Sequence, residues 1–304
     1  MRDPIRRMQH AGKSYSADSR QLSQQLKSFF DPSCSGPGAP EVGSDHRKLI
    51  GLVAPHIDVQ AGGPCFAHAY KALMESAAAP TTWVILGTGH EPIDHLFALT
   101  PKDFETPFGL IRHDQDFCEE LAKLAPQDLR DGEYSHHREH TIEFQAVFLG
   151  FSQPEASIVP LLCSFSLEDW NSEREYIDEV AKILKDLAQS REGHVGFISS
   201  VDLAHIGPRY GDNFRPHEET LAQHLRADAD LLRFLEECDV QGFIGTLQRE
   251  HNRRRICGLA PLYVLSKILG GVAAGKLLHH THVTVDQNDS FVTFASMAFY
   301  AKDV

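Results

Sequence analysis

The sequence predicts an α/β fold: one domain over residues 1–304, a mostly parallel central sheet with helices on both faces, and an antiparallel hairpin near the C-terminal end. Two observations predict the parallel part. Short, continuous apolar runs recur along the chain, as buried central strands require. Segments with helical spacing of apolar residues separate them. A third observation predicts the hairpin: two late apolar runs flank Gln287-Asn288-Asp289, a turn-forming triplet.

In chain order, Leu22, Leu26, Phe29 and Phe30 give a first helix over 18–30, followed by a Pro/Gly/Ser-rich surface loop, PSCSGPGAPEVGSD. KLIGLVAP (48–55) is a strand, and a Gly-containing loop then leads to a helix over 65–76. TWVILG (82–87) is a second buried strand. Shorter strands at 97–100 and 109–113 flank the turn Glu105-Thr106-Pro107-Phe108-Gly109. Helices are expected at 114–124, 141–148 and 172–189, and strands at 157–162 and 194–201. A mainly helical stretch covers 217–269, before strands at 276–285 and 291–299.

Composition narrows the function. The net charge is -13, and Arg253-Arg254-Arg255 is the longest basic run, so no nucleic-acid partner is expected. Apolar runs such as 50–55 are too short to span a bilayer, and the basic N-terminus lacks an apolar stretch behind it. Six cysteines without regular spacing point to reduced thiols, hence a cytoplasmic protein with no membrane partner. Five of them read as small buried hydrophobes. Eighteen histidines direct attention to imidazole chemistry.

In an open parallel sheet, ligands bind beyond the carboxyl ends of the strands. Ala54-Pro55-His56, Gly87-Thr88-Gly89-His90 and Asp202-Leu203-Ala204-His205 each follow an apolar run. Three strand ends therefore deliver histidines, and one adds an aspartate, which predicts a shared pocket. Cys257 precedes a helical segment, and a thiol near a helix N-terminus has a lowered pKa. Two imidazoles plus a thiolate suit a transition metal. A further cluster, His136-His137-Arg138-Glu139-His140-Thr141-Ile142-Glu143, precedes a helix. It is either a solvated helix start, where carboxylates suit the dipole, or a set of site residues.

The same residues carry a resemblance. Ala11-Gly12-Lys13-Ser14-Tyr15, Ala54-Pro55-His56, Leu86-Gly87 through His90, Thr106-Pro107-Phe108-Gly109, Glu139-His140-Thr141-Ile142-Glu143, Ser199-Ser200 with Asp202-x-x-His205, and Ile256-Cys257-Gly258 occur in that order. The chain resembles the Memo family, also called AmmeMemoRadiSam system protein B. The resemblance implies a fold similar to LigB-type class III extradiol dioxygenases. It implies His56, His90 and Cys257 as ligands of one transition metal, iron or copper before zinc. It implies Asp202, His205 and His140 as catalytic groups, and Glu139, Glu143, Asp58 and Glu91 as further pocket residues. It also implies association with radical-SAM and AMMECR1-type proteins. The sequence departs from the family pattern at Ile57-Asp58-Val59, at Glu91 and at an inserted Val201. These changes leave the ligands and alter the walls.

Three functions follow as expectations. The first is a metal-dependent redox enzyme or oxygenase. The second is a non-catalytic binding or adaptor protein whose cleft takes a small molecule or peptide. The third, a hydrolase with a Cys257, His205, Asp202 triad, requires side chains only three residues apart to reach triad geometry.

Overall fold

The structure is a computed structural model that describes residues 3–90, 95–191 and 194–302. Its strands form one mixed sheet. The parallel centre is β6 (Gly109–His113), β7 (Ser157–Cys163), β3 (Thr82–Thr88), β8 (Val195–Ser200) and β2 (Leu49–Ala54), side by side in that order. Antiparallel β11 (Phe291–Ala301) and β10 (Ala273–Thr284) extend it beyond β2, closing the hairpin expected around 287–289. On the other flank, β5 (Asp103–Thr106) pairs with β6, and β1 (Ile5–Arg6) pairs with β5. Short β4 (Phe97–Leu99) lies on β7, and β9 (His205–Ile206) lies on β11. β1, β5 and β9 have two to four residues each, too few to register as apolar runs.

The centre is buried on both faces because both carry helices. Every residue of β3, from Thr82 to Thr88, is buried. Neighbouring side chains go to opposite cores. Leu52, Ala54 and Ile85 join one with α1 (Ser19–Ser28), α2 (Val59–Glu75) and α4 (Thr141–Ser152). Val53, Val84 and Leu86 join the other with α3 (Gln115–Leu124), α6 (Arg174–Ser190), α7 (Glu218–Glu236), α8 (Val240–Glu250) and α9 (Leu259–Leu269).

Two helices differ from expectation. α2 begins at Val59, six residues before the predicted 65, because the Asp58 side chain caps it by accepting from the Gln60 amide. Its Gly62 and Gly63 belong to the helix and not to a loop. A Cβ at Gly63 would lie 2.4 Å from the Phe29 ring, so only glycine lets α1 and α2 approach. The helix predicted over 172–189 is α6, and a further short helix, α5 (Leu167–Ser172), precedes it, ending where the predicted range begins. Ser166 and Asp169 form a capping box that starts α5, and α6 follows after Glu173.

α4 is buried all round from Thr141 to Gly150, wedged against β3 and α2. Gly87 makes this approach feasible. A Cβ there would lie 2.7 Å from both Thr141 Oγ1 and Ile142 Cγ1. Gly87→Ala is expected to cost about 1–3 kcal/mol by overpacking. Urea denaturation measures it, and an unchanged midpoint would show that α4 yields freely.

Candidate metal centre

Adjacent strands β3, β8 and β2 end at one level, with Ser200 opposite both Ala54 and Gly87. Their following residues therefore emerge together. His56 is buried, and its ring is fixed from behind: Nδ1 donates to the Ser200 carbonyl oxygen at 2.9 Å. That carbonyl also accepts from Thr88 Oγ1 at 3.1 Å. A carbonyl only accepts, so Nδ1 carries the proton and Nε2 the lone pair. His56 Nε2 faces Cys257 Sγ at 3.3 Å. Cys257 is delivered from the loop before α9, where Gly258 packs so closely that a Cβ would lie 2.6 Å from the Val201 side chain.

His90 and His140 are oriented by one carboxylate. Glu139 accepts from the His90 amide at 2.7 Å and from His90 Nδ1 at 3.3 Å. It also accepts from the amides of His140 and Thr141, and lies 3.1 Å from His140 Nδ1. The rings of His56, His90 and His140 stand 4.9, 5.2 and 5.4 Å apart in pairs.

This crowding sets the charges. Burial, and then the neighbouring His90 and His140, hold His56 well below its ordinary 6.5, so it stays neutral. Burial alone would raise Glu139, but hydrogen bonds from His140 and His90 outweigh it and keep the carboxylate ionised. Asp202 is pushed up to about 6 by burial, although the His56 and Ile57 amides donate to its Oδ1. The expected lowering of Cys257 is not found. Burial, with Asp202 adding to it, raises this thiol well above its usual value. The helix N-terminus lies one residue beyond Cys257, and its dipole does not offset desolvation. A cation at the centre would reverse that balance.

His56, His90 and Cys257 each present one ligand atom, all within 4.8 Å of one another. They are respectively buried, exposed and intermediate, so the group opens to one side. A second group, His90, Glu139 and His140, meets the same distance limit. Its carboxylate is already engaged by five donors, which makes Glu139 an orienting group. The donor chemistry of the first group, two imidazoles oriented through Nδ1 and a thiol, fits a transition metal.

A family model described as Memo-like protein matches residues 6–298. The chain belongs to this family. It is 31% identical over 293 residues to a MEMO1 family protein of Aquifex aeolicus, covering 96% of this chain and 72% of the relative. It is 29% identical over 298 residues to a MEMO1 family protein of Thermococcus onnurineus, covering 95% and 97%. A MEMO1 family protein of Thermus thermophilus is 29% identical over 276 residues, covering 90% and 76%.

The other residues singled out in this Memo-like chain lie in different settings. His205 opens β9, its Nδ1 held by the Leu203 and Arg255 carbonyls at 2.9 and 3.1 Å. Tyr210 packs edge-on against its ring. Burial lowers its pKa, and the charge of His90 adds to that. The Cys257, His205, Asp202 triad is not assembled. His205 Nδ1 is bound to carbonyls, Asp202 to backbone amides, and the imidazole beside Cys257 is His56. Asp58 is an exposed helix cap. Glu91 lies outside the described residues. Glu139 and Glu143 are buried, so the solvated reading fails for the two carboxylates of the 136–143 cluster, while His137 and Arg138 are exposed. Glu143 binds Arg6, Tyr15 and the amides of Gln9 and His10. Cys34 is exposed, unlike the other cysteines read as small hydrophobes. No described helix is long and apolar enough to cross a membrane.

Sequence reading missed Gln145 and Arg6. Gln145 Nε2 donates to the Pro55 carbonyl and to Ser200 Oγ, both at 2.8 Å, tying α4 to the ends of β2 and β8. Its signal was a single polar residue within the apolar run Phe144 to Leu149.

His136 is also buried, with Nε2 donating to the Ala98 carbonyl at 2.8 Å. Burial lowers its pKa from 6.5 to about 4. The unfolded chain then binds this proton first, so stability falls as pH drops from about 6.5 to about 4, by up to roughly 3 kcal/mol. His136→Gln keeps the donor and removes the titration. Its urea midpoint is expected to fall less between pH 7 and pH 4.5 than the wild type's, and equal falls would assign the loss to other groups.

Proposed function

We propose that this Memo-like protein is a metal-dependent redox enzyme or oxygenase with one transition metal held by His56, His90 and Cys257. The observation that supports it is the convergence of three pre-oriented ligand atoms on a side open to solution. A soft thiolate with two imidazoles favours iron or copper over zinc for redox work. Bound there, the metal would supply electron transfer or activation of an oxidant.

The chain's own residues supply the remainder. Glu139 and the Ser200 carbonyl hold the imidazoles in their ligand tautomers. In this reading His140, stacked on His90, and His205, beside Tyr210, would hold or move a proton of the reacting molecule. Asp202 fixes the His56 backbone.

The test is elemental analysis of untagged protein, purified without chelators and then reconstituted anaerobically with ferrous or cuprous ion. About one equivalent per chain is expected, lost in His56→Ala. The loaded protein is further expected to react with dioxygen or a one-electron reductant. Less than about a tenth of an equivalent with either metal would end the reading. A loaded but inert protein, with a peptide captured equally by wild type and His56→Ala, would favour the adaptor alternative.

A further inference from the structure

The opposite end of the sheet carries a cavity that the metal centre does not use. It lies where β2, β8 and β10 begin and where α6, α9 and β11 end, and its volume is about 710 Å³. Ligand sites for small organic molecules span roughly 300–1,000 Å³ and are mostly apolar with a few polar groups. This cavity has that composition. Ile50, Phe197 and Leu269 give it an apolar wall, and Lys48, Lys185 and Lys302 are among its lining residues.

The charge is one-sided. No aspartate or glutamate is among the described residues that line the cavity. None of the three lysines pairs with a carboxylate among the described residues. Lys185 Nζ donates to the Gly270 carbonyl at 3.2 Å. In a chain of net charge -13, a lining with three lysines and no acidic residue is a local inversion of sign. The backbone fixes where two of these side chains begin: the Ala301 amide donates to the Lys48 carbonyl, and the Lys302 amide to the Val272 carbonyl, each at 2.9 Å. Burial pushes the nearby Cys238 thiol up to about 11, while Lys302 and Lys185 both pull it down, so these two charges act on one spot.

We infer that this cavity binds an amphipathic monoanion, with its acyl-like body against the apolar wall and its carboxylate at the lysines. Apolar burial alone would accept a neutral chain, and the lysines alone would accept an inorganic anion. Only a molecule with both parts uses both features. The inference does not depend on the metal centre, since the two sites occupy opposite ends of the parallel strands.

Titration calorimetry with decanoate below its micellar concentration tests it on the full chain. Saturable binding with Kd below about 1 mM is expected. Decanol, decyltrimethylammonium and inorganic phosphate are each expected to bind at least about tenfold more weakly. Lys48→Gln/Lys302→Gln changes two exposed side chains, and should weaken decanoate about tenfold while leaving decanol unchanged. Val272→Trp, at the partly exposed mouth, should block both. Absence of saturable decanoate binding would overturn the inference. So would equal binding of the decyl cation or of phosphate, or decanoate binding undiminished in either variant.

Discussion

Glu143→Ala is expected to destabilise the protein by about 3–5 kcal/mol, the cost of removing one partner from a buried ion pair. Glu143 and Arg6 are both buried and directly paired. The same carboxylate accepts from Tyr15 Oη at 2.5 Å, from the His10 amide at 2.9 Å and from the Gln9 amide at 3.2 Å. Truncation therefore strands a guanidinium, a hydroxyl and two amides in one place. A double replacement, Arg6→Met with Glu143→Leu, should recover only part of the loss, because the two amides and the hydroxyl still lack an acceptor. Burial would raise the Glu143 pKa, but Arg6 and Tyr15 outweigh it and hold it below 4.5. Its contribution is thus complete above that value and is lost as pH falls through the lower folded one. Chemical denaturation of the three variants checks the series. A loss under about 1 kcal/mol for Glu143→Ala would mean that the N-terminal segment detaches without cost to the core.

Cys257→Ser is expected to weaken metal binding at least about 100-fold, or ~2.8 kcal/mol, and to abolish any thiolate-to-metal charge-transfer absorption. The serine hydroxyl is a harder, weaker donor at a position 3.3 Å from the His56 Nε2 lone pair. Glu139→Gln should act less strongly, by roughly 10–100-fold, because the ligands remain while His90 and His140 lose their shared acceptor. The charge-transfer band should survive in Glu139→Gln, which separates misorientation from loss of a ligand. Titration with cobalt(II) under anaerobic conditions reads both quantities. Equal affinity in Cys257→Ser and wild type would remove Cys257 from the ligand set.

Buried strands at 48–55, 82–87 and 194–201 were legible in the sequence, because each contains a short continuous apolar run that leaves no polar face for water. The sequence by itself also determined that His56, His90 and Asp202 stand at strand ends, since that follows from where each apolar run stops. Tertiary structure decided what those positions mean. Strand order placed β8 between β2 and β3, so that Ser200 could orient His56. Contacts across 49 positions made Glu139 the common partner of His90 and His140, and contacts across 128 positions made Glu143 the acceptor for Tyr15. Neighbouring carboxylates in one motif thus face different tasks, and no local spacing could separate them. The Cys257 thiol shows the limit most clearly. Its place before a helix was legible, but its pKa follows from burial, and burial depends on packing between residues far apart in the chain.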